Sequence, residues 1–195
     1  MAVTKILARK GRLDIGIDYI LNGDKTEQKI LTAHQGCEPG RECRQMLETK
    51  QDTENMGGVQ YYHIVQSFKP GEVTPEEANR IGYELAKRFL KERHAFFVAT
   101  HCDTAHIHNH IIFNSTSMDC RGKFRDFLGS GKAVARLSDL ICLEHGLSVI
   151  ENPKRGGNSY KSWLGDRARP SRRDLLRAAI DAALEEKPAD FDALL

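Results

Sequence analysis

Residues 101–114, HCDTAHIHNHIIFN, decide how this chain folds and where its chemistry lies. A strand rises about 3.3 Å per residue and sends residues i and i+2 to the same side, so His108 and His110 share one face and can share one ion at roughly 2.1 Å ligand distances. Ile107, Ile111 and Phe113 take the opposite face, the alternation of a sheet strand with one covered side. His106 points the same way as His108 and His110. It stands roughly 13 Å from His110 along the strand, however, so the third ligand is better drawn from His101 across the turn. Three neutral nitrogen donors leave coordination positions open, as catalytic metals require. Cys102 alternates away from His101, and the metal site is expected on the open face of the sheet.

Working outward, 94–101 and 106–114 read as strands joined by the four residues CDTA, a hairpin that brings His101 beside the second strand. Upstream, residues 2–9 read as a strand and 11–22 as a short helix stopped by Asn22 and Gly23. A strand follows near 29–34, then a helix over about 40–50 and a strand, VQYYHIVQSF, over 59–68. Thr74, Pro75 and Glu77 form a helix start, and that helix runs to about 92 with Ala78, Ile81, Leu85 and Phe89 on one side. A further helix spans about 130–145. Helices interleave with antiparallel strands, so the expected class is α+β, with helices on one sheet face and the metal site on the other.

The 195 residues, 40% hydrophobic, suit one domain of ordinary size with an appended tail. We expect a domain over 1–150. Residues 151–195 read as a basic arm and a helix over about 171–186, the start of a longer native chain. No run approaches the 18 to 20 apolar residues of a membrane span, and the N-terminus lacks a secretory core, so the expected location is the cytoplasm. Five scattered cysteines without a CxxC pair suggest neither a disulfide framework nor a thiolate zinc knot. The net charge of +2 is small, but its distribution is uneven. Lys5, Arg9, Lys10 and Arg12 open the chain, and Lys154, Arg155, Lys161, Arg167, Arg169, Arg172 and Arg173 crowd its end, which is what a phosphate backbone near the metal would ask for. Water activation through an HExxH pair is excluded, since no such pair exists, and an HxHxDH pattern fails at Ile111.

The order DYILNGDKT, HIVQSFKPGE, HCDTAHIHNHIIFN resembles the three motifs of MobP-type conjugative relaxases, members of the HUH endonuclease superfamily. The resemblance implies a ferredoxin-like antiparallel sheet and an enzyme that nicks one DNA strand at a transfer origin and stays joined to the 5′ phosphate. It makes Tyr19 the nucleophile and His101, His108 and His110 the ligands of Mg²⁺ or Mn²⁺, with other transition metals tolerated by imidazole. Asp103 is placed to orient or charge-balance a ligand imidazole, or is simply an aspartate in a turn. His63 and Ser67 share a strand face and would hold DNA phosphates or sugars, and Lys25 accompanies the first motif. His106 would contact Tyr19 or a phosphate, or line the sheet. Tyr160 and Lys161, with Trp163, read as a stacking and phosphate-contacting part of the basic arm. The implied partners are single-stranded origin DNA, accessory relaxosome proteins and a type IV secretion coupling protein, in a bacterial cytoplasm. Replication initiators of the superfamily place their tyrosine after the histidine motif, usually with a lysine three residues later, and position 163 here is Trp. They remain an alternative, as does a metal-ordered single-stranded DNA-binding module without catalysis.

Overall fold

The computed structural model describes residues 2–21, 31–53, 56–102, 106–150 and the helical backbone over 172–185. The chain divides into two compact units, Met1–Glu151 and Asn152–Leu195. In the first, β1 (Ala2–Arg9), α1 (Leu13–Ile20), β2 (Thr32–Gln35), α2 (Glu42–Gln51), β3 (Tyr61–Phe68), α3 (Pro75–Leu90), β4 (Phe96–His101), β5 (His108–Asn114) and α4 (Ser130–Glu144) follow in order. In the second, the described element is α5 (Arg172–Glu185).

The strands form one antiparallel sheet in the order β1-β3-β5-β4-β2. β5 lies between β3 and β4, which therefore run parallel, and α3 makes the crossover, the split β-α-β arrangement of ferredoxin-like sheets. The α+β class read from the sequence is the observed one. Most elements begin within two residues of their expected positions, and the start of β5 matters most. Pairing of His101 with His108 leaves residues 102–107 as the connection, so it is longer than CDTA and His106 sits in it, exposed, ahead of the strand.

Helices α3 and α4 cover one face. Ile81 and Leu85 of α3 and Val134 and Ile141 of α4 pack with Ile64, Phe96, Val98, Ile111 and Phe113, all fully buried. Thr74 caps α3, its hydroxyl accepting from the Glu77 amide at 3.2 Å, with Pro75 at the first helical position. The histidines lie on the other face, yet that face is not bare. Phe97, Ala99 and Ile112 make part of it apolar, and α1 and α2 bury it with Leu13, Ile17, Ile20 and Met46. An open face carrying those side chains would leave a large apolar patch in water, which this second layer removes. Gly16 lets α1 sit close, because a Cβ there would collide with the ring and hydroxyl of Tyr61.

Between the two strand histidines, Asn109 points to the α3 face and is held there on every polar atom. Its amide donates to Gln66 Oε1 at 3.0 Å and to the Ala78 carbonyl at 2.6 Å, and its oxygen accepts from Thr100 Oγ1 at 2.7 Å. Gly82 makes room for it, since a Cβ there would approach Asn109 Cγ to 2.9 Å. The network lies in the interior, where an unmade hydrogen bond costs most. Asn109→Ala is expected to cost about 2–4 kcal/mol and lower the Tm by roughly 5–12 °C, read by thermal unfolding; a Tm within about 2 °C of wild type would show the network to be dispensable.

Candidate metal centre and nucleophile

The register of the β4–β5 pair builds the centre. His101 stands directly opposite His108, and Ala99 opposite His110, so the three imidazoles come to one end of the sheet on one face. Their ligand nitrogens lie within 4.8 Å of one another, close to the span of two metal–nitrogen bonds of about 2.1 Å each. The ring centroids are 4.4 to 5.2 Å apart.

Each ring is oriented from outside the cluster. His101 is almost wholly buried, and its Nε2 donates to the Ile20 carbonyl at 2.8 Å, which puts the lone pair of the neutral ring on Nδ1. His108 Nδ1 donates to the His106 carbonyl at 3.3 Å, a contact that leaves Nε2 as the lone-pair nitrogen. His110 Nδ1 lies 2.7 Å from His63 Nε2. With the shared proton on His110 Nδ1, the ligand nitrogen of that ring is Nε2. Outer partners of this kind fix tautomer and ring direction at metal sites. Burial, then Arg9, His101 and Lys5, hold His63 far below the usual imidazole range, at about 4, so it stays neutral beside His110.

These donors fit a divalent ion. Three neutral imidazoles leave the charge of the ion undiminished and leave coordination positions for oxygen ligands, a set suited to polarising a phosphate.

Tyr19 lies next to Ile20, the residue whose carbonyl holds His101. It is 64% exposed. A cleft of about 680 Å³ is lined by Tyr19 and His63 together, with Arg9, Lys10, Arg12 and Tyr61 around them. The phenol and the outer partner of the centre thus open to the same space, flanked by three cations. Ser67 stands directly across from His108 in the β3–β5 register, on the histidine face. His106 brings its ring to within 5.5 Å of His108, centroid to centroid. The structure therefore brings His101, His106, His108 and His110 together with His63 against His110 and Ser67 across from His108, and Tyr19 opens with His63 to the cleft. Asp103, Lys25, Tyr160 and Lys161 lie outside the described residues. Sequence reasoning had no access to the Ile20 carbonyl, whose role belongs to the backbone. It placed His63 on a strand face without its contact to His110, although the alternation of VQYYHIVQSF already put His63 and Ser67 together.

A family model described as "Relaxase: MobA/VirD2-like, nuclease domain" matches residues 19–147, beginning at Tyr19 itself. The chain belongs to this relaxase family. Among curated relatives of this relaxase domain, a Staphylococcus aureus protein named Protein rlx is 40% identical over 129 residues, covering 65% of this chain and 41% of the relative. A second Staphylococcus aureus Protein rlx is 44% identical over 94 residues, 48% of this chain and 29% of that protein. The group II intron-interrupted relaxase LtrB of Lactococcus lactis subsp. cremoris (strain MG1363) is 32% identical over 146 residues, 68% of this chain and 26% of LtrB. The chain thus spans less than half the length of these relatives. No helix among the described residues is long and apolar enough to cross a membrane.

His108→Ala is expected to weaken Mn²⁺ binding most strongly, and His63→Ala by roughly 10- to 100-fold, measured by titration calorimetry. An unchanged affinity in His63→Ala would mean that its contact with His110 does not orient the ligand.

Proposed function

We propose that this relaxase domain nicks single-stranded DNA at a transfer origin by transesterification, with Tyr19 as nucleophile, and later reseals it, in conjugative DNA transfer. The observation that carries this reading is the cleft shared by the exposed Tyr19 and His63, with His63 in turn 2.7 Å from His110 of the imidazole cluster. The Tyr19 oxygen forms a bond to the scissile phosphorus as the bond to the 3′ oxygen breaks. The phenol proton leaves to a base or to water, and the departing 3′ oxygen takes one up. The product is a 5′-phosphotyrosine and a free 3′ hydroxyl, and reverse attack by that hydroxyl restores the strand.

A phenol with a pKa near 10 is a poor nucleophile at neutral pH, so position and local charge must compensate. Arg9 and Lys10 line the cleft where a phosphodiester would lie and favour the charge of both phosphate and phenolate, while Arg12 beside them is paired with Asp14. His101, His108 and His110 would hold the divalent ion, Mg²⁺ or Mn²⁺ in this reading, which when bound supplies Lewis-acid withdrawal of charge from the phosphate oxygens. Ser67 and His106 would contact the strand from the mouth of the site. Asp103 would orient or charge-balance a ligand imidazole, and Lys25, Tyr160 and Lys161 would add contacts to DNA. Accessory proteins that open the duplex and a secretion coupling protein would complete the transfer machinery.

Labelled single-stranded oligonucleotides tiled across the DNA flanking the gene test the reaction. With Mn²⁺ or Mg²⁺ one of them is expected to become covalently attached to the protein, and Tyr19→Phe to abolish the adduct. An adduct that survives in Tyr19→Phe and vanishes in Tyr160→Phe would overturn the assignment in favour of a replication initiator. Binding without an adduct on any oligonucleotide would favour a non-catalytic module.

A further inference from the structure

We propose that the protein holds DNA at a second, backbone-binding site remote from the metal centre, formed by Arg93, Arg121, Lys123 and Arg125; this rests on the reading of the domain as a DNA-strand nuclease. β5 runs away from the centre from His108 to Asn114, a rise of roughly 20 Å. Beyond it the chain turns back on itself, and this turn is rigidly built. Thr116 bridges Lys123, Phe124 N donates to the Ser115 carbonyl at 2.7 Å, and Ser117 N to the Gly122 carbonyl at 2.9 Å. Met118 N donates to the Arg93 carbonyl at 2.8 Å, joining to the turn a residue that lies far from it in sequence.

The result is a surface recess of about 330 Å³ whose lining among the described residues includes Arg93, Arg121, Lys123 and Arg125 and no carboxylate. Asp119, an acid of this segment, is committed to the turn. Its Oδ1 accepts from Ser117 Oγ at 2.5 Å and from the Arg121 amide at 3.1 Å, and these bonds hold the carboxyl below its ordinary range. Behind the turn, Lys50 is fully buried and donates to Ser115 Oγ at 2.7 Å. Among the described residues its partners are hydroxyls, and Lys123 is close enough to repel its charge. Lys123 and Lys50 repel each other, Arg93, Arg121 and Arg125 add charge of the same sign, and a polyanion offsets it.

Continuity with the nuclease site points to DNA as that polyanion. The cleft beside Tyr19 shares Lys10, Gly11 and Arg12 with a longer groove of about 860 Å³ that reaches Met56 and Gln60. Just beyond, Lys123 Nζ donates to the Gly57 carbonyl. The groove floor is apolar at Leu13 and Leu47, and its Arg12–Asp14 and Arg44–Glu48 pairs are internally neutralised, a lining for bases more than phosphates. The recess that Lys123 joins to this end of the groove is the reverse, with four cationic side chains in its lining. A strand that leaves the nuclease site along this groove arrives with its phosphates at Arg93, Arg121, Lys123 and Arg125. Twenty ångströms correspond to about six nucleotide steps of 3.4 Å, so short strands would not reach.

The test uses fluorescent dT4 and dT24 and a 24-base-pair duplex, with the whole chain and its triple variant Arg93→Ala/Arg121→Ala/Arg125→Ala. All three side chains are exposed, so folding is expected to survive, and thermal unfolding verifies it. The variant is expected to bind dT24 at least tenfold more weakly and to lose about 2 from the log–log salt slope, with dT4 little affected. If the loss falls on the duplex and not on dT24, the site still binds backbone, in its paired form. Unchanged affinity and slope on both long probes would overturn the proposal, and so would an equal fold loss on dT4, the mark of a general loss of charge rather than of a remote site. Because homopolymers require no cleavage, absence of a covalent adduct on any origin sequence would sink the nuclease reading while leaving this measurement interpretable.

Discussion

The pairing of His101 with His108 is the constraint on which the rest of this molecule depends. A slip of one residue between β4 and β5 would send both strand histidines into the apolar layer under α3 and bring Asn109 to the opposite face. Two groups of forces oppose that slip. Phe96, Val98, Ile111 and Phe113 are buried on one side and Phe97, Ala99 and Ile112 on the other, so both faces of the hairpin are specified by apolar contact. Asn109 adds a directional restraint, because its partners Gln66, Thr100 and the Ala78 carbonyl lie only on the α3 side. The ligand face is held from behind by a residue that never touches it.

From that register the site is assembled by second partners. Imidazoles brought together on a strand face can still turn about their side-chain bonds, and each here is stopped by a different element: α1 through the Ile20 carbonyl, β3 through His63, the connection before β5 through the His106 carbonyl. The α1 contact does double duty. It couples the ring of a ligand to the helix end where Tyr19 stands, so the two halves of the proposed chemistry share a hydrogen bond rather than mere proximity.

Much of this was legible in the sequence because it depends on local periodicity. Alternation in residues 106–114 put His108 and His110 on one face, the short spacing to His101 implied a hairpin, and Thr74-Pro75 marked the start of α3. What escaped was set by the order of strands. That β3 is the neighbour of β5, and so that His63 meets His110, follows from a crossover no window of residues encodes. The second apolar layer was missed for a related reason: Phe97, Ala99 and Ile112 are spread over two strands, and the strip they form exists only once those strands pair. Arg93 likewise joins Arg121 and Arg125 through a backbone hydrogen bond across a long sequence separation.

Gly16 sets the height at which the Tyr19 helix rides above β3. With hydrogen in place of a methyl group, α1 settles against the Tyr61 ring, and one more carbon would have to be accommodated by lifting the helix or swinging the ring aside. In the proposed reaction the phenol would tolerate such a displacement badly, a shift of about 1 Å being worth roughly a hundredfold in rate. The smallest side chain in the helix is thus a spacer, and the reach of the phenol is calibrated by an atom that is not there.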